Sequence, residues 1–145
     1  MKSERDFRNY LAGAALAFGI VLLSSQILQL LFGGNSVEAG SELYSLIVNI
    51  YLTAHLVGGF LGGYLVARVR RADYIQTGTV TGILAYIFEF IYNIFVERAM
   101  TDIYAAVSLL IGSIMGAMFF RSMMERGKIR VKKSKEQKPA AEPTK

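Results

Sequence analysis

Four long apolar runs account for most of this 145-residue chain, at residues 11–32, 43–67, 75–96 and 103–120. Each is near or above the roughly 20 residues an α-helix needs to cross a bilayer. Basic residues sort cleanly against these runs. Numbered alternately, one side receives Lys2, Arg5 and Arg8, then Arg68, Arg70 and Arg71, then nine Lys and Arg from Arg121 to Lys145. Only Arg98 falls on the other side, among Glu97 and Asp102. Lys and Arg collect in cytoplasmic segments, so the pattern predicts a cell-membrane protein with both termini cytoplasmic. Short connections make consecutive helices antiparallel. The expected fold is an all-α membrane protein, an up-down-up-down four-helix transmembrane bundle.

The expected organisation is a charged lead at 1–9, a four-helix domain at 10–126 and a disordered basic tail at 127–145. Ser41 and Glu42 open the second helix, and Thr101 or Asp102 caps the fourth. Gly127 is placed to end the fourth helix. The 22-residue first run exceeds the ~7–15 apolar residues of a signal peptide and is read as a span. Tyr10, Tyr64 and Tyr74 sit near the inner boundary, and Tyr44, Tyr92 and Tyr104 near the outer one, where the amphipathic phenol ring is at home.

Composition narrows the chemistry. With no cysteine and one histidine, neither disulfides nor a metal site built by one chain are expected. The net charge of +5 arises in the tail, not in a folded basic domain. The tail reads first as a topology determinant. Its second reading is attraction to anionic lipid or an acidic partner, with Lys132 and Lys133 joining Arg68, Arg70 and Arg71 at the headgroups. It has no interleaved aromatics for stacking bases, so no specific nucleic-acid partner is expected. There is no phosphate-binding glycine loop outside the membrane runs, no nucleophilic triad and no carboxylate pair. No enzymatic activity and no cofactor are expected.

Small residues recur at helical spacing: Gly13 with Ala17, Gly58 with Gly62, Gly59 with Gly63, Gly78 with Gly82, and Ser108, Gly112 and Gly116. In lipid, helices associate through close van der Waals approach, which such stripes permit. The stripes are expected to pack helices within the chain. The doubled stripe on the second helix leaves a sharper alternative, in which one face is internal and one meets another protomer or subunit. Gln26, Gln29, Asn49, Glu89, Asn93 and Ser108 lie in the opposite halves of their helices. That bias predicts a bundle tight toward the basic end and more polar toward the other.

Two ionisable residues fall inside the runs. His55 is 12 residues from Ala67, and Glu89 is 14 from Ile75. At 1.5 Å per residue their depths differ by about 3 Å. Both lie on the packing stripes, Glu89 one turn before Asn93. A charge at this depth costs about 2.5–3.5 kcal/mol on insertion scales and is usually paired. Three readings stay open: an interhelical clamp, a proton or cation site, and contact with a partner helix or lipid headgroup.

The segment from His55 to Arg68, with its Gly58-Gly59 and Gly62-Gly63-Tyr64, and the segment Thr77-Gly78-Thr79-Val80-Thr81-Gly82 resemble small four-helix membrane families of unknown function in archaea and bacteria. The likeness covers the second and third helices. It implies a four-helix bundle and no activity. The leading functional expectation is a non-enzymatic protein acting through helix–helix contacts, as a homo-oligomer or an accessory subunit. The alternative is a small proton- or cation-coupled transporter using His55 and Glu89.

Overall fold

The computed structural model describes the backbone at residues 2–33, 38–71, 73–97 and 102–136, and side chains at 4, 6–33, 38–71, 73–96 and 102–127. Four helices make up the fold: α1 (Lys2–Phe32), α2 (Glu42–Arg70), α3 (Tyr74–Tyr92) and α4 (Ile103–Glu136). A π-helical turn, Asn93–Glu97, continues α3. No strand occurs among the described residues. All four helices contain a segment long and apolar enough to cross a membrane.

The helix ends follow local chemistry. Ser41 Oγ accepts the Tyr44 N–H at 3.1 Å and caps α2. Arg71 ends that helix in a left-handed conformation, φ 53°, with its N–H on the Ala67 carbonyl at 2.9 Å. Asp102 Oδ1 accepts the Tyr104 N–H at 2.9 Å at the start of α4. Gly127 does not end α4, which runs on to Glu136. A lone glycine inside a helix costs only about 1 kcal/mol, and the next proline is Pro139. The described part of the expected tail, 127–136, is therefore helical. Residues 137–145 lie outside the described residues.

Contacts give each pair its direction. A Cβ at Gly58 would stand 2.8 Å from the Ala17 carbonyl, and one at Gly62 would stand 2.6 Å from the Gly13 carbonyl, so α1 and α2 are antiparallel. Gly78 lies against Ile114 and Gly82 against Leu110, so α3 and α4 are antiparallel too. Between α2 and α4 the register rises together: Gly59 meets Leu109, Gly63 meets Ser113, Leu56 meets Gly112 and Phe60 meets Gly116. Those two helices run parallel and form the most extensive interface. The circuit around the bundle is α1, α2, α4, α3, with α2 and α3 touching across the diagonal. Chain neighbours α2 and α3 are thus not side by side.

Both glycine pairs of α2 are consumed inside the chain, Gly58 and Gly62 by α1 and Gly59 and Gly63 by α4. The alternative that one pair serves a second protomer does not hold. Within one bundle, α2 is sandwiched between two helices and needs a small-residue face for each. Ser113, not Ser108, enters the α2–α4 seam. It is fully buried, while Ser108 is half-buried.

The polar bias also needs correction. Gln26, Gln29 and Asn49 are exposed on the outside of the bundle, and only Glu89 and Asn93 of that set turn inward. Buried Thr77, Thr81 and Ser113 lie in the other half. Thr81 Oγ1 donates to the Thr77 carbonyl at 2.8 Å, which lets a threonine sit in an apolar interface at little cost. At the basic end, the Arg70 guanidinium stacks 4.7 Å from the Tyr10 ring centroid and reaches Asp6 at 3.5 Å, tying α1 to α2. Tyr10 is buried in that contact.

Candidate functional site

His55 and Glu89 meet at the centre of the bundle. Gly59 and Gly62 follow His55 by one and two turns, and their lack of side chains lets α1 and α4 close around that face of α2. Ala85 precedes Glu89 by one turn on α3 and is fully buried, so the same face carries the carboxylate inward. His55 is 0% exposed and Glu89 3%.

The hydrogen bonds fix the histidine tautomer. Nδ1 lies 2.7 Å from the Tyr51 carbonyl, which only accepts, so Nδ1 carries a proton. Nε2 lies 2.9 Å from Glu89 Oε1. One proton occupies that line, either as imidazolium with carboxylate or as imidazole with carboxylic acid. The Tyr51 hydroxyl donates to the same Oε1 at 3.1 Å, and its ring packs 4.2 Å from the imidazole. Oε1 thus has two partners. Oε2 is buried and has none among the described residues.

Beside Glu89 is a cavity of about 30 Å³. Ser25 from α1, Tyr51 from α2, and Glu89, Tyr92 and Asn93 from α3 and its extension supply its polar lining. Phe18 of α1 packs on Phe88 and Tyr92, with centroids 6.4 and 5.7 Å away, and holds this wall together. The π-helical turn starts at Asn93, whose N–H reaches both the Glu89 and the Phe90 carbonyls. Such turns widen a helix locally and are frequent at functional sites.

The sequence does not mark Tyr51 or Ser25 for this site, and it marks Tyr92 only as a boundary tyrosine. Tyr51 had a signal, since it precedes His55 by one helical turn. Ser25 lies on a different helix with no spacing to link it to Glu89. Tyr92 reads equally well as a boundary tyrosine.

The remaining expected residues are elsewhere. Gly13, Gly58, Gly59, Gly62, Gly63, Gly78, Gly82, Gly112 and Gly116 line helix seams. Arg70 is engaged with Asp6 and Tyr10. Arg68 and Arg71 are exposed at the same end. The side chains of Lys132 and Lys133 lie outside the described residues. No cluster of three His, Cys, Asp or Glu occurs among the described residues.

These features define a class: a small four-helix, multi-pass membrane protein with a buried acid–imidazole pair at its centre. The chain matches no protein-family profile, no curated protein and no solved structure. At the level of fold it is consistent with a small four-helix membrane protein.

Proposed function

We propose that this chain is a non-enzymatic membrane protein that takes up and releases a proton or a small cation at the His55–Glu89 pair. The observation that carries the reading is Glu89 Oε2, buried and without a partner beside a polar cavity. A purely structural clamp gains from satisfying both carboxylate oxygens, and an orphaned buried acceptor costs about 1–3 kcal/mol. The π-helical turn adds support. Carriers commonly interrupt a membrane helix at the binding site, and here the irregularity begins one turn after Glu89. The expected topology, with both termini cytoplasmic, remains part of the proposal. The test is reconstitution in liposomes with an entrapped pH dye. An imposed cation or proton gradient should drive proton movement, and Glu89→Gln should abolish it while the helical fold persists. Absence of flux in the wild type would leave the pair as a clamp.

A second reading, assembly with a further copy, is favoured by the outward face of α1. Ala12, Ala15, Gly19, Gln26 and Gln29 follow a three-four spacing. Among the described residues, nothing beyond its own stretch of helix lies within 4 Å of the position a Cβ would take at Gly19. The four others are exposed. A small-residue face with two amides suits close helix approach and interhelical hydrogen bonding. Association with membrane lipids fits the exposed Arg68 and Arg71, and a groove of about 710 Å³ bordered by Asp73, Gln76 and Arg121.

A further inference from the structure

We infer that the outward seam between α3 and α4 holds one phospholipid from the leaflet at the basic end, with a headgroup that carries both a phosphate and a primary ammonium. This site rests on the lipid-association reading above and adds to it a place and a headgroup.

Two cavities follow one another along the seam. The first, of about 710 Å³, is bordered by Asp73, by Gln76, Thr79 and Val80 of α3, and by Arg121 of α4. The second, of about 160 Å³, is bordered by Gly82, Ile83 and Tyr86 of α3 and by Ala106, Val107 and Leu110 of α4. Gln76, Thr79, Ile83 and Tyr86 recur at three- and four-residue spacing, so they share one face of α3 and the two cavities lie in line. Gly82 lies against Leu110, so the helices touch at the floor. Ile83 and Val107 are exposed, so the groove opens outward from the bundle.

Length selects the occupant. Tyr86 is 13 residues beyond Asp73, a rise of about 20 Å. One leaflet with its headgroups is half of the roughly 40–45 Å bilayer. The groove therefore spans one leaflet, where a partner's transmembrane helix would cross two. Its chemistry changes along that length as a lipid's does. Asp73, Gln76, Thr79 and Arg121 gather at the basic end, and Ile83, Val107 and Leu110 line the deep end.

Charge selects the headgroup. Arg121 Nε donates to Glu125 Oε1 at 2.8 Å, and the two Nη groups have no partner among the described residues. Guanidinium donors suit phosphate oxygens. Asp73 stands at the N-cap of α3 but makes no capping hydrogen bond. Its carboxylate has no ion pair among the described residues. Arg68 and Arg71 border neither cavity. The mouth thus offers one cation and one free acid, with Glu125 as a second negative charge beside Arg121. An anionic headgroup would satisfy Arg121 and be repelled by Asp73. A phosphate with an ammonium satisfies both. A primary ammonium also donates N–H to the carboxylate in a charge-assisted hydrogen bond, which a quaternary one lacks.

The test is native mass spectrometry of the full-length protein in detergent. The probes are phosphatidylethanolamine, phosphatidylcholine and phosphatidylglycerol with the same acyl chains. The wild type should retain one phosphatidylethanolamine per chain, bound about fivefold more tightly than the other two, the scale of one exposed ion pair. Asp73→Asn should erase that preference, and Arg121→Gln should weaken all three lipids. Val107→Trp should fill the deep groove and lose the bound lipid. Ile83→Trp is the second groove variant should Val107→Trp fail to fold, judged by gel filtration and circular dichroism. Leu65→Trp, exposed on α2 away from this seam, should leave binding unchanged. Equal retention of the three lipids by the wild type overturns the inference and leaves lipid association standing without headgroup selection. An unchanged preference in folded Asp73→Asn, or unchanged retention in a folded Trp variant of the groove, overturns it as well. If the wild type retains none of the three lipids, the lipid-association reading falls with it.

Discussion

Gly63 of α2 and Ser113 of α4 pack backbone to backbone, with no room for a Cβ between them. The same seam repeats in the reverse sense one turn away, where Gly116 meets the Phe60 carbonyl. Two parallel helices therefore each supply the glycines that admit the other. Gly63→Leu should destabilise the bundle by more than the ~1–3 kcal/mol typical of overpacking, since the obstacle is main chain. Thermal unfolding in detergent measures this, and an unchanged midpoint would refute the seam.

Gly19 offers the contrasting case. Among the described residues, no other helix comes within 4 Å of a Cβ placed there. Gly19→Leu should leave the thermal midpoint of the monomer nearly unchanged. If α1 mediates self-association, the same change, or Gln26→Leu, should shift the oligomer to smaller species by native mass spectrometry. Identical oligomer size in both variants would argue against that face.

The central cluster should respond in graded fashion. Tyr51→Phe removes one hydrogen bond to Oε1 and should cost about 0.5–1.5 kcal/mol. His55→Ala leaves the buried carboxylate without its main partner and should cost about 3–5 kcal/mol if that carboxylate stays charged. Equal losses for the two variants would contradict the hydrogen-bond assignment.

Arg70 should matter to stability where Arg68 does not. Arg70→Ala loses the stacking on Tyr10 and the pair with Asp6, together about 1 kcal/mol. Arg68→Ala removes an exposed charge and should leave the thermal midpoint within error. A matching drop for both would point to net charge, not the contact, as the cause.

Topology reporters at Asn35, Asp73, Met100 and Lys145 should read outside, inside, outside and inside. An external signal at Asp73 would reverse the assignment drawn from the basic residues.

Helix number and approximate span limits were legible in the chain because hydropathy is local: about 20 apolar residues make a span wherever they occur. The Ser41 and Asp102 caps were legible for the same reason. So was the presence of one acid and one imidazole at matching depth. Rotation of each helix about its axis was not. In lipid the outward and inward faces are both apolar, so hydrophobicity does not say which way a residue turns. That is why the polar half the sequence marks did not say that Gln26, Gln29 and Asn49 lie on the outside of the bundle, and why it left open whether both glycine faces of α2 are internal. Only tertiary packing set α2 beside α4, across the diagonal from α3. It alone aimed Nε2 at Oε1, brought Tyr51 to the same oxygen, and left Oε2 beside a cavity that Ser25 closes from a third helix. Those contacts depend on how three helices rotate against one another, which no run of residues along one of them encodes.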